Sequence, residues 1–408
     1  MRALTSMSAL GLAIAAFSGG AVAGFVITPG ATPAAAKITH EEKPHLRVPD
    51  TWRITATSGQ TKPVKAARPT QNTMTINPGK RITLHSVPAG STVTISSSHQ
   101  QRFPATIEER KPGKWATSVM TPNWKGHISV TTRSNTTWRL KVNTKQAPSV
   151  DVQISPNSEQ IYGVGMPLTI RTDTVLTPEA KAIVEDNLTL EAHLGSGVEP
   201  VDAAGGTWQW SSETEAQFRP ATFWPANSTV HARINLSDIE VMKGLWGDKE
   251  TITTLNVGKQ NIIVVDLNDY TLTQYQGGKK KAELKTSGGK AGWETANGWK
   301  IVYEKYDMKR LYNPDPVNGW DVMAPWSMRV TTMGEFIHSA PWNPSIGYAN
   351  TSHGCTNLTV DDAKWLYDRT QIGDPVYTVG GGQTVRSWDG LGGIWNVGAD
   401  PMPEVSSL

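Results

Sequence analysis

The pattern that most limits the fold of this chain is a series of short segments in which apolar and polar residues alternate, each closed off by Pro, Gly or Asn. Between residues 51 and 147 the series includes Thr73 to Ile76, Ser91 to Ile95, His127 to Val130 and Trp138 to Val142. A period of two puts one side of each segment in a core and the other in water, so these are half-buried strands. Strands at this spacing predict a small β-sandwich. The same grammar returns between 148 and 258, in Val150 to Ile154, Leu168 to Ile170, Leu188 to Leu190, Val230 to Ile234 and Thr251 to Val257. One short helix is expected there, starting at Thr177-Pro178-Glu179, where threonine can cap and proline fits the first helical position. Two sandwiches in tandem therefore precede residue 259, serving either as spacers or as binding modules.

A third block, 259–380, opens with Ile262 to Leu267 and Thr271 to Tyr275, a Gly277-Gly278 turn and a further strand near Lys281, which is a hairpin signature. The adjoining Lys279-Lys280-Lys281 is either an anion site or a solvated hairpin tip. One helix is expected, from Val360 to about Asp368, with Thr359 as its cap and Asp362 as the acid of its first turn. The whole chain is thus mainly β. At 408 residues it exceeds what one core serves. The formal net charge of +3 is too small to argue for nucleic-acid binding.

At the N-terminus, Met1-Arg2 precedes an uncharged stretch from Ala9 to Ile27 rich in Ala, Gly and Leu, with small-residue sites at Ala21-Val22-Ala23 and Ala34-Ala35-Ala36. Residues 1–36 read as a cleaved export signal or a retained membrane anchor, and 37–50 as a Pro-punctuated linker. No cysteine lies near this segment, which excludes a lipoprotein. Any contact with a membrane is expected through this segment alone. The chain has a single cysteine, Cys355. In an exported protein that leaves an inert buried thiol, an intermolecular bridge or a reactive group.

The neighbours of Cys355 favour the reactive group. They are Phe336-Ile337-His338-Ser339-Ala340-Pro341-Trp342 and Thr351-Ser352-His353-Gly354-Cys355-Thr356-Asn357-Leu358. A free thiol is only a few per cent ionised at neutral pH, so thiol catalysis needs a nearby base or positive charge. His353, two residues before the cysteine, shares a face with it in an extended segment. His338 must arrive by folding, and both histidines are admissible on these grounds. Gly354 permits an unusual φ, and the amides around it can form an oxyanion hole.

His338-Ser339 followed by Ser352-His353-Gly354-Cys355-x-Asn357 resembles the signature of the YkuD-type L,D-transpeptidase catalytic domain. Gly298-Trp299, Asn318-Gly319-Trp320, Asp389 to Gly393 and Trp395-Asn396 extend the likeness. With the tandem modules, the chain looks like the multidomain transpeptidases of mycobacteria and related actinobacteria. The resemblance implies two tandem Ig-like β-sandwiches (51–147 and 148–258), a β-rich catalytic domain (259–380) and a C-terminal tail (381–408); because tryptophan buries much area wherever it sits, Trp388 and Trp395 are expected to pin that tail onto the catalytic domain. It assigns the nucleophile to Cys355 and the general base and acid to His338, with Ser339 orienting the imidazole. His353 and Gly354 complete the pocket. Trp320, Met333, Gly334, Trp342, Ser352 and Asn357 are implied as substrate contacts. Two positions depart from the family pattern: Thr356 replaces an aliphatic residue, and Trp320 stands where close relatives carry tyrosine.

The implied reaction is formation of 3-3 cross-links between peptidoglycan stem peptides outside the cytoplasm. A thioester on Cys355 passes to a diaminopimelate side-chain amine. With water as acceptor the product is instead a carboxypeptidase product, and a covalent carbapenem adduct is implied as well. A non-catalytic wall-binding protein is the alternative from another class. No cofactor is expected, and no metal, because Cys-x-x-Cys and His-Glu-x-x-His are absent. The tryptophans near the site, Trp293, Trp299, Trp320, Trp326 and Trp342, serve either core packing or stacking on substrate.

Overall fold

The computed structural model describes residues 53–56, 72–317 and 319–398. The signal or anchor (1–36), the linker (37–50), Asn318 and residues 399–408 lie outside the described residues. Among those described, no helix is long and apolar enough to cross a membrane.

The first module is two four-stranded sheets. One has the order Arg53–Ala56, Ile82–His85, Lys114–Thr117, Ile107–Lys111, and the other Asn72–Ile76, Thr137–Thr144, Lys125–Thr131, Thr92–Ser97. In Lys125–Thr131 the side chains alternate between buried and more exposed, placing Ile128 and Val130 inward beside Ile82, Leu84 and Trp124. The second module packs a four-stranded sheet (Val152–Ser155, Leu168–Thr172, Glu215–Arg219, Thr207–Trp210) and a five-stranded one around Leu168, Ile170, Phe218, Val230 and Leu255. Its helix, Pro178–Asp186, begins as the sequence predicts, with the Thr177 hydroxyl accepting from the Ala180 amide at 3.3 Å.

The third module also has two sheets. The first runs Lys279–Lys285, Thr271–Gln276, Asn261–Asp266, Pro375–Val379, Gly298–Ile301. Its hairpin turn needs two left-handed residues, which Gly277 (φ 56°) and Gly278 (φ 71°) supply. Lys280 at the tip pairs with Glu283. The second sheet runs Glu304–Asn313, Trp320–Arg329, Phe336–Ser339, Thr356–Leu358. The two sheets and the Thr359-capped helix Val360–Tyr367 contribute Ile263, Val265, Leu272, Met328, Ile337, Leu358 and Leu366 to one core.

The tail does more than lie on the third module. Its 3₁₀ turn, Gly393–Asn396, buries Ile394 and Trp395 in the core of the second sandwich, together with Trp299 and Ile301. The Trp395 indole donates to the Gly165 carbonyl at 2.8 Å, and Arg219 donates to the carbonyls of Ile394 (3.1 Å) and Val397 (2.7 Å). Asn396 exchanges two hydrogen bonds with the Trp299 backbone, at 2.8 and 2.7 Å. The expectation that Trp388 also pins the tail is corrected: it is 54% exposed, with the Arg386 guanidinium over its ring.

Candidate active site

Two strands bring the site together. Phe336–Ser339 and Thr356–Leu358 pair in parallel, with His338 opposite Asn357 and Ile337 opposite Thr356. Cys355 immediately precedes the second strand and so arrives beside the histidine strand. Alternation sends Thr356, which is buried, to the opposite face from Cys355 and Asn357. Cys355, His338, Asn357, His353, Ser352, Trp320, Met333, Gly334 and Trp342 all line one cleft of about 840 Å³. Of the predicted site residues, Ser339 and Gly354 do not line it.

Cys355 is partly buried, and its thiol points at the Gly334 carbonyl, 3.8 Å away. Burial pushes that thiol up to about 12, while the Phe336 amide and the Lys300 charge pull it down and Glu335 pushes it up. Its backbone is fixed by Ser352, whose hydroxyl donates to the Cys355 carbonyl at 2.6 Å and accepts from the Gly354 amide at 3.2 Å. Gly354 holds φ at 110°, a conformation that side chains disfavour. A Cβ there would meet nothing nearer than the Trp293 carbonyl at 3.7 Å, so the backbone angle and not crowding calls for glycine.

His338 is 3% exposed, and burial pushes it down to about 4, against the pull of the Ser339 carbonyl. Its Nδ1 lies 2.7 Å from that carbonyl and its Nε2 lies 3.1 Å from the Asn357 amide nitrogen. A carbonyl can only accept, so Nδ1 carries the proton and Nε2 is the basic nitrogen. Ser339 thus orients the imidazole through its backbone, and its own buried hydroxyl has no partner. Asn357, expected to touch substrate, is 4% exposed; it lines the cleft and gives its side-chain NH₂ to the histidine.

His353 is held differently. It stacks on Trp320 (ring centroids 4.3 Å apart, 24° between planes) and meets Trp293 edge-on at 5.3 Å. Lys290 Nζ donates to its Nε2 at 3.0 Å, and burial together with that ammonium keeps His353 below its usual range. A neutral ring boxed by two indoles and a cation is a wall of the site. Trp342, 46% exposed and 6.1 Å from the His338 ring, and Met333, 74% exposed, form other parts of the rim.

Four residues to which the motif gives no role support this geometry. Lys300, 1% exposed, pairs with Glu335 at 2.8 Å beneath the loop that carries Gly334. Asp389 in the tail accepts from the Thr332 hydroxyl (2.6 Å) and the Met333 amide (3.1 Å), fixing the same loop. Asn343 donates to Asn357 at 3.0 Å. In the sequence, Asn343-Pro344 signals only a turn, and Lys300 only a charge inside an apolar strand. Among the described residues no cluster of His, Cys, Asp or Glu is arranged to hold a metal ion.

Residues 260–378 match the L,D-transpeptidase catalytic domain, YkuD, and residues 130–240 match a bacterial Ig domain. The chain is 32% identical over 254 residues to L,D-transpeptidase 2 of Mycobacterium tuberculosis, covering 60% of this chain and 59% of that protein. It is 27% identical over 259 residues to L,D-transpeptidase 5 of the same species, covering 61% and 54%. Among solved structures, an L,D-transpeptidase from Mycobacterium smegmatis aligns over 56% of this chain and 99% of its own, at 28% identity and a TM-score of 0.47. The match thus spans less than two thirds of each of those two curated relatives.

Proposed function

With an L,D-transpeptidase catalytic domain behind its Ig-like modules, this chain, we propose, is an extracytoplasmic cysteine acyltransferase that makes 3-3 cross-links in peptidoglycan. The observation that carries this reading is the convergence of Cys355 and His338 on one cleft, with Nδ1 of the histidine engaged by a carbonyl. That arrangement makes Nε2 the basic nitrogen, and its bond from Asn357 Nδ2 (3.1 Å) gives way when it takes a proton. Both groups rest neutral, a thiol and an imidazole lining one cleft, since burial disfavours both charged forms. Thiolate formation is therefore coupled to attack on the substrate carbonyl.

In the first step the Cys355 sulfur attacks the carbonyl of the third residue of a tetrapeptide stem, and Nε2 of His338 takes the thiol proton. The backbone amides of His353 and Cys355 serve as donors to the oxyanion, the Gly354 amide being used by Ser352. Collapse returns the proton from Nε2 to the departing D-alanine nitrogen and leaves a thioester. In the second step Nε2 removes a proton from the acceptor amine, which attacks the thioester and frees the thiol. A carbapenem, with its strained amide carbonyl, acylates Cys355 by the first step alone. Where residues 1–36 stay as an anchor, the Ig-like modules hold the catalytic domain away from the membrane.

Product mass after incubation with a disaccharide tetrapeptide tests the assignment. A cross-linked dimer lighter than two substrates by one D-alanine is expected. A trimmed monomer alone would make the chain a carboxypeptidase, and unchanged substrate would leave a wall-binding protein.

A further inference from the structure

One chain of hydrogen bonds runs from a backbone amide to a backbone carbonyl through His338. The Ser345 amide donates to Asn343 Oδ1 at 2.9 Å, as does the Thr351 hydroxyl at 3.1 Å. Asn343 Nδ2 donates to Asn357 Oδ1 at 3.0 Å, and Asn357 Nδ2 lies 3.1 Å from His338 Nε2. His338 Nδ1 closes the series on the Ser339 carbonyl at 2.7 Å. An amide side chain can be turned end for end without a visible change of shape, so each amide taken alone leaves its direction open. The two ends remove that freedom. The Ser345 N–H can only donate and the Ser339 C=O can only accept, so every bond between them has one permitted direction.

We propose that Asn343 is a positioning residue that acts through Asn357 to keep Nε2 of His338 unprotonated at rest, and so sets how readily the base takes and returns a proton. The proposal rests on the reading of His338 as the base for Cys355. Asn343 touches neither the thiol nor Nε2. To protonate Nε2 while Nδ1 keeps its carbonyl, Asn357 must turn its oxygen toward the ring. Its NH₂ then faces the NH₂ of Asn343, and if Asn343 turns as well, its NH₂ faces the Ser345 N–H. Every way of accommodating the imidazolium leaves donor against donor, which a half-buried network does not tolerate cheaply.

Among the described residues no charged side chain competes for this control. The parallel strand contributes Cys355 ahead of it, the hairpin strand ends in Arg329, the preceding loop carries Glu335 with Lys300, and the helix carries Asp361, Asp362 and Lys364. No charge among them figures in the shift of His338, which burial lowers and the Ser339 carbonyl raises.

The experiment is a pH titration of the full chain labelled with ¹⁵N-histidine, with His338 assigned by the signals missing from H338Q. In the wild type at pH 7, Nδ1 is expected as the protonated nitrogen and Nε2 as the bare one; a proton on Nε2 there overturns the proposal without any variant. In N343D both oxygens of the introduced carboxylate can only accept, so Asn357 must turn its NH₂ toward that carboxylate and its oxygen toward Nε2. His338 should then bind a proton at least tenfold more tightly, a rise of about one pH unit. N343L, which releases Asn357 without adding charge, should shift in the same direction by less. An N343L titration that overlays the wild type overturns the proposal, because the N343D shift would then be charge alone. The pH profile of carbapenem acylation in the same variants separates the two readings. If the titration moves as stated and the profile does not, the relay stands and His338 is not the base.

Discussion

Replacing Lys300 by methionine probes both the scaffold and the electrostatics of the thiol. Lys300 is 1% exposed, and its ammonium has two partners, Glu335 Oε2 at 2.8 Å and the Thr378 hydroxyl at 3.4 Å. Glu335, 13% exposed, keeps only the Ala296 amide (2.7 Å) once the lysine is gone. Breaking a buried pair by removing one partner costs about 3–5 kcal/mol, because the remaining charge is stranded. Against a domain stability of roughly 5–15 kcal/mol that is a large loss. K300M/E335Q removes the stranded carboxylate as well, so most of the loss should return, and the double-mutant cycle reads the coupling directly. The assay is urea unfolding of the full chain, followed through the transition in which the thiol becomes reactive. The same charges act on Cys355: Lys300 holds its thiol down and Glu335 pushes it up. K300M should therefore move the pH dependence of thiol alkylation upward, and E335Q should move it downward. A K300M cost below about 1 kcal/mol, or a downward shift in that variant, would show that the pair does not act as described.

Two buried groups give stability opposite dependences on pH. Burial pushes His338 down to about 4 in the fold from 6.5 in the open chain, so the unfolded state binds more protons between those values. Its contribution, about 3 kcal/mol, is complete above pH 6.5 and is lost as pH falls toward 4; H338Q should flatten that acid loss. Asp374, fully buried with one oxygen unpartnered, is raised by burial to about 7, so its contribution is present below pH 3.8 and lost as pH rises through 7. D374N should raise the unfolding temperature at pH 8 more than at pH 5, and an equal change at both would contradict this. Gly354→Ala should fold, at a strain cost of about 1–3 kcal/mol, yet acylate roughly 10²-fold more slowly as Cys355 shifts. Undiminished acylation would show that φ of 110° is not needed. Truncation after residue 381 removes Trp395 and Asp389 together and should destabilise the third module by more than about 3 kcal/mol. Unchanged thermal unfolding would count against that.

Much of this arrangement was legible in the sequence because it is carried by local rules. Alternation exposed the strands, Gly277-Gly278 the hairpin, and Thr177 and Thr359 the two helix starts. Cys355 stood out through its neighbours, and His338 was told from His353 only through the resemblance to the YkuD signature. What stayed hidden depends on which atom of a residue is used. Ser339 acts through its carbonyl and not its hydroxyl, and Asn357, at the cleft wall, gives its amide to the histidine. Asn343, Lys300 and Asp389 reach the site only through folding, from a turn, another sheet and the tail; Asp389 lay in a segment that extends the family likeness, but no neighbour in sequence gave any of the three its role. Trp388 and Trp395 look alike in composition, yet only Trp395 meets a buried carbonyl on the second sandwich.

Whether Cys355 carries the acyl group is read out by intact-protein mass after incubation with a tetrapeptide stem or a carbapenem. The wild-type chain should gain one acyl group, mapped by fragmentation to Cys355, while Cys355→Ala folds with the same unfolding temperature and gains nothing. A stoichiometric adduct on the alanine variant, or an adduct mapped to any other residue, would rule out covalent catalysis at this thiol.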